Sequence, residues 1–190
     1  MPDDLKIEPV ARYRTMEAGT KEEYEAVFEL DKVTFRRRDG DFETQLQVVV
    51  SPEDDVEVRR LSITNRGDRP REVEVTSYAE VVLARSEDDL AHPAFAKLFI
   101  ETEYDAESAG LLFSRRPRAA DEAPVWAFHT WSADGRTADA VEWETDRARF
   151  IGRGRSPADP EVVDGRPLSR TTGALLDPAA VLRNRLRLEP

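Results

Sequence analysis

The sequence predicts an all-β fold, an antiparallel sandwich or barrel. Three observations carry the prediction. About ten short stretches alternate apolar and polar residues in twos, and turn residues recur between them every 8–15 residues. No heptad, fixed-period repeat or convincing amphipathic helix interrupts them. The stretch Ser51–Arg85 reads as two long strands joined by a polar turn.

The elements follow in order. Residues 1–22 are polar, with Pro2, Pro9 and Gly19, and are expected to be irregular. A strand is expected over 23–30, where Tyr24, Ala26, Phe28 and Leu30 alternate with polar partners, and another over 32–38 around Val33 and Phe35. Asp39-Gly40 is a hairpin signal. The next strand alternates Phe42, Thr44, Leu46, Val48 and Val50. In the long pair, Val73, Val75, Ser77, Ala79, Val81 and Leu83 occupy every second position. Their predecessors change parity, from Val56 and Val58 to Leu61 and Ile63. That predicts either two covered faces or a bulge at Arg59-Arg60. Asn65 to Pro70 is turn chemistry, because Asn and Gly tolerate positive φ and Pro stops a ladder. Residues 86–97 break the pattern and predict a loop with one helical turn. Strands resume over 98–104, 110–115, 123–132 and 141–145. Residues 146–178 are rich in Arg, Gly, Pro and Asp and read as irregular. Leu182–Leu188 reads as a last strand with nothing after it to close the domain, as expected of a fragment of a longer chain.

Composition narrows the function classes. The 190 residues suit one domain, 23–190. Net charge is −11, so phosphate-backbone binding is excluded as a leading idea and no nucleic-acid partner is expected. Only four of the 28 cationic residues are Lys, which leaves 24 Arg. Arg forks can hold carboxylates or polyol hydroxyls in fixed geometry. The chain has no Cys, which removes disulfides, thiolate nucleophiles and Cys-ligated zinc. Only two His exist, so a multi-histidine metal site is excluded; no metal or cofactor is expected. No apolar leader and no run of about 18 apolar residues is visible. A cytoplasmic location without membrane insertion is expected, and a membrane-attached parent would need other regions.

The residues that could carry chemistry are few. His92 lies in the loop sequence HPAF with Phe95, where ligand contact is common. His129 shares parity with Val125, Ala127 and Trp131 and reads as a packing residue. Trp126 and Trp131 have opposite parity, so one can fill the core while the other offers its face to a sugar ring. The stretch from Asp146 through Arg147, Arg149, Arg153 and Arg155 carries Gly152 and Gly154 but lacks the third glycine and the Lys of a phosphate loop. It could hold an anion or a sugar, or form an internal Arg–carboxylate network. Paired carboxylates such as Asp54-Asp55 and Asp88-Asp89 read as solvated surface. No nucleophile–base motif is present.

Five phrases, in order, are specific: SPEDDVEVRRLSITNRGDRPREVEVTSYAEVVLA, HPAFAKLFIETEY, PVWAFHTW, ETDRARFIGRGR and SRTTGALLDPAAVLRNRLRLEP. Across 24–190 they resemble the N-terminal β-supersandwich of glycoside hydrolase family 94, formerly glycosyltransferase family 36. The cyclic β-1,2-glucan synthase branch is nearer than the cellobiose and chitobiose phosphorylases. The resemblance implies an antiparallel two-sheet supersandwich of galactose mutarotase-like fold, packed on a separate (α/α)6 barrel. In the family the general acid and phosphate site belong mainly to the barrel, so no catalytic residue transfers to this chain. The HPAF and Asp146–Arg155 segments are the ones that would face the sugar cleft. The expected role is thus a non-catalytic carbohydrate-binding or structural domain of a β-glucan-processing enzyme. Its partners would be a β-linked gluco-oligosaccharide, the barrel, and a second copy in a homodimer. The rivals are a stand-alone mutarotase-like enzyme using His92 or His129 with a glutamate, and a pure oligomerisation scaffold.

Overall fold

The computed structural model describes residues 11–16, 23–119, 122–133 and 141–190, the first stretch as backbone only. The chain forms two compact units, residues 1–71 with 188–190, and residues 72–187. All strand pairing with an assigned register is antiparallel.

The first unit is built on one sheet of β1 (Ala11–Met16), β2 (Glu23–Phe28), β3 (Val33–Asp39), β4 (Phe42–Val50) and β5 (Glu57–Asn65), in that order. β1 falls inside the segment expected to be irregular; the remainder of that segment lies outside the described residues. Alternation works as expected on β2 to β4. Ala26, Phe35, Leu46 and Leu61 form one cross-strand row, and Glu25, Arg36, Gln45 and Ser62 form a row on the opposite face. Gly40 takes φ +59° in the turn between β3 and β4, as the Asp-Gly pair requires. β5 corrects the expectation of a bulge or two covered faces. Its register with β4 runs unbroken from Phe42↔Asn65 to Val50↔Glu57. Its side chains are mostly exposed, so neither face of β5 is covered along most of its length, and the strand ends the sheet.

The expected hairpin between β5 and β6 (Arg71–Glu80) does not form. β6 instead lies beside β12 (Pro178–Leu188) in a sheet ordered β10 (Glu142–Asp146), β12, β6. Alternation fixes which face a residue takes, not which strand lies next to it. The linker is still a turn. Asn65 donates from Nδ2 to Arg69 O at 2.7 Å and accepts from Gly67 N–H at 3.0 Å. That turn leads the chain from one sheet into another.

The second unit is a sandwich. The β10–β12–β6 sheet faces a sheet ordered β11 (Gly173–Ala174), β7 (Ile100–Asp105), β8 (Gly110–Arg115), β9 (Val125–His129). Between them lie Val81, Ile100, Leu111, Phe113, Ala180 and Leu182. Thr102 and Thr145 hydrogen-bond across the layers at 2.8 Å. β12 is covered on both faces. Its even residues Ala180 and Leu182 enter that core, while Ala179 and Val181 enter a second cluster with Phe150, Ile151, Val162 and Leu168. A strand covered on both sides reads as a continuous apolar run, so its first half, PAAV, escaped the period-two reading. Arg183 is 2% exposed, and its guanidinium donates to Val162 O and Arg166 O, both at 2.8 Å. Among the described residues the unit also holds three short helices, α1 (Ser86–Ala91), α2 (Pro93–Lys97) and α3 (Arg147–Ile151). A 3-10 turn spans Glu161–Asp164. The stretch expected to be a loop with one turn is therefore two helices, and the stretch read as irregular holds α3, the 3-10 turn and β11.

Candidate functional site

The outer face of the β7–β8–β9 sheet carries exposed aromatic surface. On β9, alternation turns Ala127 inward to the core and Trp126 and Phe128 outward. Trp126 is 59% exposed and Phe128 50%. Residues two apart on a strand stand about 7 Å apart, so the two rings form adjacent platforms. Trp126 lies opposite Ser114, and Phe128 opposite Leu112. The next strand adds Glu101 and Glu103 to the same rows. Glu101 is held by Arg116 at 3.2 Å. The Phe128 ring lies over Gly110, where a Cβ would overlap it, so the glycine is what lets the ring lie flat on the sheet. Apolar rings beside carboxylate acceptors can take the apolar face and the hydroxyls of a sugar together.

A second cluster collects charge on β6 and its neighbours. Arg147 Nε donates to Glu80 Oε1 at 2.9 Å and to Tyr78 Oη at 3.2 Å, and Tyr78 O–H donates to Glu80 at 2.9 Å. The Tyr78 ring stacks on Phe150 with centroids 5.0 Å apart. Asp177 takes Lys97 Nζ at 2.6 Å and Arg147 Nη1 at 3.5 Å. The hydrogen bond from Arg147, then that from Tyr78, holds Glu80 below its ordinary value of 4.5. Burial, aided by Glu80, pushes Tyr78 above 10.0. The bond to Glu80 raises Arg147 further. All three therefore keep their ordinary charge states through the neutral range, and none is poised to exchange a proton there.

The residues singled out by sequence fall into three groups. Trp126 is on the aromatic face. His92 is exposed at the junction of α1 and α2, where its backbone bonds Asp88 and Ala96; Phe95, 50% exposed, meets Phe99 edge-on at 5.3 Å. The third group has structural work. Trp131, past the end of β9, packs against the sandwich core instead of offering a platform. Asp146 caps α3 through the N–H groups of Ala148 and Arg149, and also pairs with Arg149 at 3.5 Å. Arg155 pairs with Asp164 at 2.7 Å and Asp159 at 3.7 Å. Of the two readings left open for Asp146–Arg155, the carboxylate network describes Arg147, Arg149 and Arg155. Arg153 is exposed. Lys97, two residues past the HPAF sequence, and Arg147 share Asp177, which links α2 to α3.

Sequence reasoning missed Phe128, Tyr78, Glu80, Lys97 and Asp177. Phe128 was legible, since it shares parity with Trp126. The others meet only through tertiary packing across as many as 80 positions. His129 accepts or donates at Ser77 Oγ, 2.8 Å away, consistent with a packing residue. Among the described residues no cluster of three or more His, Asp or Glu could hold a metal, and no helix is long and apolar enough to cross a membrane.

Residues 8–190 match the family model described as glycosyl hydrolase 94, supersandwich domain. Over 159 residues the chain is 36% identical to the cyclic beta-(1,2)-glucan synthase NdvB of Rhizobium meliloti strain 1021. The match covers 83% of this chain and only 6% of that protein.

Proposed function

Because the chain belongs to the glycosyl hydrolase 94 supersandwich family, we propose that it is a non-catalytic, saccharide-holding and structural domain of a β-glucan-processing enzyme. The observation that supports the reading best is the pair of outward rings, Trp126 and Phe128, beside Glu101 and Glu103. A β-linked glucan would lay sugar rings on the two aromatics and hydroxyls on the carboxylates. Glycosyl transfer would occur on a separate (α/α)6 barrel, with a homodimer as the working assembly and the cytoplasm as its location. The Glu80–Arg147–Asp177–Lys97 network stiffens the HPAF and Asp146–Arg155 segments, which would face the barrel's sugar cleft. His92, Phe95 and Arg153 are exposed there, as are Arg149 and Arg155, which are engaged with carboxylates.

Tryptophan fluorescence tests the reading. Linear β-1,2-gluco-oligosaccharides should perturb emission, and Trp126→Ala should abolish the response, because Trp131 and Trp143 are packed against the core. A flat titration of the native chain would leave a scaffold role in place of saccharide holding.

A further inference from the structure

The first unit carries a regular polar array of its own. Glu23, Arg38 and Glu43 are cross-strand neighbours on β2, β3 and β4. Glu25, Arg36 and Gln45 form the next row on the same face. Each row reads acceptor, donor, acceptor across the sheet. Neighbours within a row lie on strands about 4.8 Å apart, and the rows are about 7 Å apart along the strands. A cavity of about 260 Å³ opens here, lined by five of these six residues together with Tyr24 and Arg37.

The two rows differ in how they are committed. Arg36 is tied to both row neighbours, donating from Nη1 to Glu25 at 3.1 Å and from Nε to Gln45 at 3.2 Å. That fixes one guanidinium as a wall. Glu43 is braced by Arg66 at 3.0 Å. Arg38 lies between Glu23 and Glu43 in register, yet makes no ion pair with a described residue. Its rigid fork of donors faces a ligand already flanked by acceptors.

Charge selects the ligand class. Around the array the guanidinium groups of Arg36, Arg38 and the Arg66 that braces Glu43 balance the carboxylates of Glu23, Glu25 and Glu43, while Arg37, also in the lining, is taken by both oxygens of Asp39. A phosphate would meet three carboxylates, and an ammonium would meet three guanidinium groups. An uncharged polyol, whose every hydroxyl both donates and accepts, matches the alternation. We infer that this cavity is a saccharide-binding site separate from the aromatic face, with Arg38, Glu23 and Glu43 holding the hydroxyls of an uncharged sugar. The inference does not rest on the Trp126 platform, since no tryptophan lies in the first unit.

The test uses the full chain carrying Trp126→Ala, so that the aromatic face is silenced. Arginine Nε signals are followed by NMR while cellobiose, sophorose or inorganic phosphate is added. The two disaccharides should shift the Arg36 and Arg38 signals, and phosphate should not. Arg38→Ala should weaken disaccharide binding about five- to tenfold, as the loss of charged hydrogen bonds does. Glu43→Gln should weaken it too. Both positions are exposed, so the unfolding midpoint should hold. Arginine signals that stay still with either sugar, that move only with phosphate, or that keep moving unchanged in Arg38→Ala would each overturn the inference. Loss of all sugar binding in Trp126→Ala alone would sink this site and leave the aromatic face standing.

Discussion

Lys97 Nζ lies 2.6 Å from one oxygen of Asp177, and Arg147 Nη1 lies 3.5 Å from the other. One carboxylate thereby ties α2 to α3 just before β12 begins. Lys97 is largely buried at this contact, its side chain 14% exposed. Asp177→Ala leaves that ammonium without its partner, and a stability loss of about 1–3 kcal/mol is expected in urea unfolding. Adding Lys97→Met should recover part of the loss, a coupling that a double-mutant cycle reads directly.

The Glu80–Arg147 pair gives an acid-side signature. Glu80 is depressed below 4.5 in the fold. Its contribution is therefore present above pH 4.5 and is lost as pH falls through the lower folded value. The pair is partly exposed, so the contribution at neutral pH should stay under about 1 kcal/mol. The stability gap between the native chain and Glu80→Gln should shrink as pH falls from 5 toward 3 (about one to two units around the ordinary carboxylate value). A gap that stayed constant over that range would show that the pair does not act through the charge on Glu80.

Gly110 and Phe128 should be coupled. Gly110→Ala drives a methyl into the ring above it and should cost about 1–3 kcal/mol. The same change in a Phe128→Ala background should cost much less, because the obstructing ring is gone. Thermal unfolding of the four variants measures the difference.

Core and face should separate cleanly. Leu182 is wholly buried between the two layers of the second unit, and Leu182→Ala should cost about 2–5 kcal/mol. Trp126→Ala removes an exposed ring and should change stability by less than about 0.5 kcal/mol while ending the saccharide response. A large stability loss from Trp126→Ala would make the ring a packing residue.

The strands were legible wherever one face is covered and the other wet. β4 and β8 were read at their observed bounds, Phe42–Val50 and Gly110–Arg115; in β4 the polar Glu43, Gln45 and Gln47 alternate with Phe42, Thr44, Leu46 and Val48. β12 was read only from Leu182, because cover on both faces erases the alternation before it. The pairing of β6 with β12 was hidden, since a local turn such as Asn65–Pro70 looks the same whether the next strand folds back or moves to another sheet. On the candidate site, Trp126 was readable from parity. The Arg-rich stretch left two readings open, a donor loop and an Arg–carboxylate network, partly because its carboxylate partners Glu80, Asp164 and Asp177 are scattered along the chain. Each such partnership depends on the finished fold.

β12 supplies the middle of the sheet in the second unit, and its partner β6 precedes it by a long interval. Ser77 Oγ reaches Leu182 O across 105 positions. During synthesis that interval takes roughly 5–20 s. For that time β6 has no sheet to join, and Val81, Leu111 and Phe113 wait for the strand that closes over them. Such distant pairing makes for slow folding, and the waiting surface is what a chaperone would cover. A ribosome-bound chain stalled before residue 178 should therefore remain open to protease throughout this unit.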